Sequence, residues 1–262
     1  MSTPSKLVLY EFATKLPNGE SISPFTATTR CALNYLGLPF ESHLLNIRDI
    51  ESVSLKLDIK PTSTFPDGSP KHTVPILVDQ SSSTTIAIAD SFAIVQYLDK
   101  TYAKPDQRLF TSSPSVDKLA TGAVNTAFFG FIGGVLGADA LGLLQDEDKP
   151  HMIQRNLGGF DPSTIPDIKG TPAWAEAVDK VIEAAKAVTS TTVGIAKEGT
   201  WIGGEKPVFV DFALLGMVNM IRLVNGEAWE RLLNVDGGRM RRYWEEGKEW
   251  VRFEPEASTR DV

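Results

Sequence analysis

Three short groups of residues in this sequence carry recognisable chemistry. Ser23-Pro24-Phe25 stands just before a helical pattern, with Arg30 seven residues after Ser23. Proline suits a first helical turn, where its missing amide hydrogen costs nothing. The Ser23 hydroxyl can cap that helix or donate a hydrogen bond to a bound sulfur. A bond to the charged form favours that form, so a thiol with an ordinary pKa of about 8.5 would ionise more readily. Val74-Pro75 heads a strand-like run, where a proline is tolerated because it sits at the strand's first residue. A trans bond there is a plain strand start, whereas a cis bond would turn the backbone of Val74 outward toward a ligand; the sequence leaves the isomer open. Asp90-Ser91 lies between a strand and a helix, where unpaired amides and a partial positive charge receive carboxylates. With the Ser91 hydroxyl as a further donor and the Asp90 carboxylate facing an ammonium, the pair would suit an α-amino acid head group. Taken singly, each residue is an ordinary helix cap.

The elements that must position these groups can be read from periodicity. Lys6 to Phe12 is a run of strand formers. From Pro24 the spacing turns helical, with Thr29, Leu33 and Leu36 on one face beside Ala32 and Tyr35. Gly37 supplies a C-terminal stop. Pro39 to Ile47 predicts a second strand and Asp49 to Leu57 a short helix, followed by a loop dense in Pro, Ser and Thr. Pro75 to Asp79 and Thr85 to Ala89 predict two more strands, and Asp90-Ser91 opens a helix over FAIVQYLDKTY. The order β-α-β-α-β-β-α predicts a parallel pair joined by a right-handed crossover, then an antiparallel pair. Residues 104–114 read as a Pro- and Ser-containing linker. Beyond it helices are predicted over Ser115 to Leu144, Pro172 to Lys197, Asp211 to Val224 and Gly238 to Val251, with Gly158 to Gly170 as a surface excursion. An α/β domain, residues 1–103, is thus expected to join an all-helical domain, residues 115–262.

Composition narrows the function classes. Apolar residues make up 42% of the 262 and charged ones 23%, an ordinary folded profile. The net charge of −7 removes the usual electrostatic footprint of nucleic-acid binding. The C-terminal RMRRYWEEGKEWVRF offsets its arginines with Glu245, Glu246 and Glu249 and reads as an amphipathic helix. One cysteine, Cys31, excludes an intrachain disulfide and a dithiol redox pair. His43, His72 and His151 lack metal-ligand spacing, so no metal is expected. There is no GxSxG, Walker loop or GxGxxG. Leu119 to Ala138 is uncharged and long enough for a bilayer, with GxxxG spacings at Gly130/Gly134 and Gly133/Gly137. Thr121, Asn125 and Thr126 within it, and flanks without a basic cluster, favour a buried helix and no membrane span. The N-terminus has no signal-peptide pattern, and a cytoplasmic location is expected.

With these residues in their predicted order, the chain resembles the cytosolic glutathione transferases. SPF precedes the first helix, VP the third strand and DS the third helix, as in the thioredoxin-like domain of that family, and the helical remainder matches its second domain. The run ISPFTATTRCALNYLGLPFE is especially similar to the etherase-related, serine-type (FuA-like) class of wood-decay fungi. The resemblance implies a thioredoxin-like fold plus an all-α domain, glutathione as co-substrate, and a homodimer. It implies that Ser23 stabilises the glutathione thiolate, with Ser21 a rival because the preceding loop is long. Val74 before Pro75 would pair its backbone with the cysteinyl part, and Asp90 and Ser91 would hold the γ-glutamyl ammonium and carboxylate. Lys71, His72 or Thr73 would touch the glycyl end. Phe25, Phe128, Phe129 and Phe131 would line a hydrophobic substrate site, some of them serving instead as core. The expected activity is conjugation to aromatic or other hydrophobic electrophiles, with peroxide reduction. The alternative is a ligandin-type carrier of polyphenols or wood-derived aromatics. One departure stands out: relatives place Ser or Thr three residues before a buried Asp, where this chain has Val208 before Asp211.

Overall fold

The computed structural model describes residues 6–131, 136–191, 200–254 and 258–260. The chain opens with β1 (Leu7–Phe12), α1 (Pro24–Tyr35) and β2 (Glu41–Leu45), with β1 and β2 parallel as the pattern predicts. A 3₁₀ turn (Ile47–Asp49) leads into α2 (Ile50–Lys56). Then β5 (Ile76–Asp79) pairs antiparallel with both β1 and β6 (Ile86–Ala89), and α3 (Ser91–Thr101) follows. Alternation along the strands gives the sheet two apolar faces. Leu7, Leu9 and Leu77 pack with Cys31, Leu33, Ile94 and Leu98 of α1 and α3. Val8, Ile76 and Val78 pack on the opposite side with Leu57 and Ile59 beyond α2.

The structure adds several elements that periodicity did not predict. A two-residue hairpin, β3 (Ser63–Thr64) with β4 (Pro70–Lys71), interrupts the Pro/Ser/Thr loop. A helix, α9 (Gly226–Leu233), follows the last long one. A C-terminal strand, β7 (Ser258–Arg260), runs parallel to β2 and closes the sheet order β6-β5-β1-β2-β7.

In the helical part, the stretch read as one helix is described as α4 (Pro114–Phe131) and α5 (Gly137–Gly142), with residues 132–135 between them outside the described residues. Gly133 and Gly134 lie outside the described residues. No helix among the described residues is long and apolar enough to cross a membrane. A single turn, α6 (Lys149–His151), runs into a π turn (Met152–Asn156); α7 (Pro172–Thr191), α8 (Phe209–Val224) and α10 (Arg239–Gly247) complete the element order. Residues Phe209 through Ile221 of α8 are all buried, the mark of a central helix enclosed on every side. It crosses α1 at Gly216, where an added Cβ would lie 2.3 Å from the Pro24 carbonyl oxygen. The missing hydroxyl at 208 is offset within the same turn. Fully buried Asp211 accepts the amides of Ile202 at 2.6 Å, and of Gly203 and Val208 at 3.0 Å each, and the Tyr243 hydroxyl at 3.0 Å.

The segment after α5 locks the two domains together. Leu143 O accepts the Lys15 amide at 2.7 Å, and Gln145 donates to Thr14 O at 2.7 Å. Buried Asp148 accepts the amides of Ile47 and Arg48, at 2.9 and 3.3 Å, satisfying the start of the 3₁₀ turn.

Candidate active site

The lock between the domains leaves a cavity of about 520 Å³, and Ser23 and Val74 both face it. Ser23 is the N-cap of α1, at φ −66° and ψ 121°, and its Oγ accepts the Thr26 amide at 3.4 Å. A hydroxyl has one proton to donate and two lone pairs to accept with. Accepting from Thr26 uses a lone pair, and among the described residues the Ser23 proton has no acceptor, so it is free for the cavity. Ser21, the rival, is fully buried and does not line the cavity; its Oγ accepts the Ser23 amide at 3.2 Å.

The Val74-Pro75 peptide is cis. Val74 stands two residues before the ladder, which begins at Ile76. Thr73 and Lys71 line the same cavity with His72, and the Thr73 hydroxyl bonds that of Thr62 at 2.6 Å. Lys71 is half-buried, which pulls its ammonium below the ordinary lysine range. Pro75, Asp90 and Ser91 lie outside the lining. Asp90 is exposed and caps α3 through an Oδ1 bond from the Ala93 amide at 2.9 Å, while Ser91 behind it is buried. Asp90 sits at φ 80°, a backbone region that favours glycine.

Of the aromatic residues expected around a second substrate, Phe25 lines the cavity. Phe128 does not: it is wholly buried in the main core with Trp174 and Val178, so it serves packing. The side chains of Phe129 and Phe131 lie outside the described part of the structure. Cys31 is buried as well, and burial pushes its thiol up, away from nucleophilic use.

Sequence reasoning missed the cavity's other wall. His151, Met152, Asn156 and Leu157, from the end of α6 through the residue after the π turn, line it, joined by Pro162 from the stretch read as a surface excursion. Their spacing has neither helical nor strand period, so no pattern marked them. The β3–β4 hairpin also contributes Phe65, whose ring meets the Arg155 guanidinium at 4.2 Å. That contact brings the hairpin of one domain against the far wall of the other.

A thioredoxin-like sheet docked on a central helix, with a serine-capped helix start and a proline-led strand facing one cleft, is the arrangement that the glutathione-transferase resemblance implies. The family comparisons agree. Residues 22–101 match the glutathione S-transferase N-terminal domain, and residues 131–250 match the glutathione S-transferase C-terminal domain. The chain belongs to the glutathione S-transferase family. It is 25% identical to the glutathione S-transferase-like protein ustS of Aspergillus flavus, over 96% of this chain and 93% of that one. Its fold matches a glutathione S-transferase of Ceriporiopsis subvermispora, solved in complex with glutathione. The TM-score is 0.81 at 22% identity, over 95% of this chain and 99% of that one. Glutathione transferase GSTFuA3 of Phanerochaete chrysosporium matches at TM-score 0.81 and 21% identity, over 96% and 100% of the two chains.

Proposed function

We propose that this chain is a serine-type glutathione transferase of the FuA-like kind, in which Ser23 keeps bound glutathione as its thiolate. The observation that carries the reading is the unspent Ser23 proton at the wall of a largely apolar cavity. A hydrogen bond given to sulfur in such surroundings stabilises the anion more than it would in water. The thiolate then forms a carbon–sulfur bond with an electrophile, whose leaving group departs with the bonding pair, and the thiol proton has already gone to solvent. Peroxide reduction would begin with the same thiolate attacking the O–O bond.

The tripeptide would run from the cavity toward α3. Val74 pairs its backbone with the cysteinyl part beside Pro75. Asp90 receives the γ-glutamyl ammonium and Ser91 the carboxylate, with Lys71 or Thr73 at the glycyl end. The φ of 80° at Asp90 supports this, because capping alone does not require it: Ser23 caps α1 from ordinary extended backbone. Phe25, Leu141, Leu144 and Met152 provide the apolar surface for an aromatic co-substrate. A cytoplasmic homodimer is part of the same reading.

The test is ultraviolet difference absorption during glutathione titration near neutral pH. A saturable thiolate band is expected. Glutathione binding without a band, together with tight binding of aromatic dyes, would replace the transferase with a ligand carrier on the same scaffold.

A further inference from the structure

We infer that the buried pair Glu20–Arg30 positions Ser23, by tying the loop that carries it to the helix that it caps. This rests on the reading of Ser23 as the donor to the glutathione sulfur. Residues 13–23 connect β1 to α1, and the first half of that connection is well anchored. Ala13 donates its amide to Leu45 O at 2.8 Å, Lys15 to Leu143 O at 2.7 Å, and the Thr14 hydroxyl donates to Glu20 O at 2.6 Å. The half that holds Ser23 is tied to α1 at the cap itself, where Ser23 O accepts the Thr26 hydroxyl at 2.9 Å and the Ala27 amide at 3.1 Å. Ile22 packs against apolar neighbours, and the Ser23 amide bonds only to Ser21, two residues earlier in the same loop.

Glu20 adds a second tie, to α1 two turns further along. Its Oε1 accepts from Arg30 Nη1 at 2.9 Å, with the arginine side chain fully buried and the glutamate side chain 7% exposed. Arg30 lies two helical turns beyond Ser23, and helical side chains lean toward the N-terminus, so the guanidinium reaches back to the loop. Residues 20 to 30 are thereby closed into a ring with Ser23 at its turn. The surroundings hold the guanidinium in place. Glu11 Oε2 is 3.5 Å from Nε, Ser42 donates to the other Glu11 oxygen at 2.9 Å, and the Phe253 ring lies 5.3 Å from the guanidinium carbon. Arg222 of α8 also faces Glu20 electrostatically.

The cluster is poorly built for stability alone. Arg30 Nε and Nη2 and Glu11 Oε2 are buried with no hydrogen-bond partner among the described residues. Burial drives the Glu11 carboxyl above its ordinary value despite the neighbouring guanidinium. Buried ion pairs are often no better than apolar side chains of the same volume. The short bond that this guanidinium does make goes to the loop bearing the reactive hydroxyl.

The test compares Glu20→Ala, Glu20→Gln and Arg30→Lys by hydrogen exchange and by titration of bound glutathione. Glu20→Ala should speed exchange of the 19–26 amides without glutathione, and should raise the bound thiol's pKa so that roughly tenfold less thiolate is present at neutral pH. Glutathione affinity should change much less, because Val74 and Asp90 are untouched. Glu20→Gln keeps the Oε1 acceptor and should restore both readouts. Arg30→Lys, which keeps the charge beside Glu11, should loosen the same amides if Glu20→Ala fails to fold. Exchange confined to a global change, or a Gln variant as impaired as Ala, overturns the clamp. The exchange arm decides the clamp even if the wild-type protein forms no thiolate, a result that would count against the transferase reading instead.

Discussion

Ser23→Ala separates a helix cap from a reactive-site hydroxyl, because the two roles differ in magnitude. As a cap, the Ser23 Oγ receives one amide at the long distance of 3.4 Å. Losing it should cost about 0.5 kcal/mol, the low end for a cap, which is about 1–2 °C in Tm for a chain of this size. As donor to a thiolate, the same hydroxyl makes a bond to a charged group worth about 1.5–3 kcal/mol. Converted at about 1.4 kcal/mol per pKa unit, its loss raises the bound thiol's pKa by about one to two units. The assay pairs a thermal melt with thiolate absorption of the glutathione complex followed against pH. The expected result is a nearly unchanged melt beside a shifted titration and a comparable loss of conjugation rate at neutral pH. A variant with an unchanged thiol pKa would refute the assignment. If Ser21→Ala moved the titration instead, the bonding hydroxyl would be the buried one, and the cavity geometry would have been misread.

Two other perturbations test the frame around the site. Burial raises the Asp211 carboxyl to about 6 in spite of its four donors. The folded state therefore binds a proton more tightly than the unfolded chain, so this contribution is fully present below about pH 4 and is lost as pH rises through about 6. It amounts to roughly 3 kcal/mol. Denaturant melts between pH 4 and 6 should show stability falling, and Asp211→Asn should flatten that slope; stability that rises instead would mean the four hydrogen bonds outweigh burial. Gly216→Ala would put a Cβ 2.3 Å from Pro24 O and 3.0 Å from Thr28 Oγ1. Because backbone cannot yield cheaply, it should cost about 1–3 kcal/mol and shift the glutathione thiol titration in the direction of Ser23→Ala. Wild-type melts and titrations in that variant would show that α1 has room to move.

Much of this frame could be read from residue types because local rules and tertiary packing agree there. Pro24 in a first turn, Gly37 at φ 67° past α1 and Pro75 ahead of β5 each sit where their backbone chemistry directs. Elements without a local rule were lost. The strands β3 and β4 have two residues each, too short for any period. β7 exists because the exposed edge of β2 accepts it, a condition set about 215 residues earlier in the chain. In the long uncharged stretch, residue type did not say which side chains face the cavity. Its far end, in and just after α5, sends Leu141 and Leu144 to the cavity while Phe128 of α4 turns to the core. Aromatic character identified Phe128 as a large apolar surface, and only the helix's rotation decides which surface.

The same limit applies to the three groups that opened the argument, and it shows where structural strain adds information. Ser23, Val74 and Asp90 each have a bland explanation from sequence, as a cap, a strand start and another cap. Geometry does not distinguish them by contact alone, since Ser23 and Asp90 both accept an amide three residues on. What differs is the rest of each residue's state. Ser23 caps from relaxed backbone and lines an apolar cavity with a proton it gives to no described residue, whereas Asp90 caps from φ 80°, an arrangement costing about 1–3 kcal/mol that glycine would largely avoid. Capping gains no more than about 1–2 kcal/mol. A carboxylate held there is thus hardly stabilising on balance. Its persistence is explained when the carboxylate has a second partner, the ammonium of a ligand whose sulfur lies at Ser23.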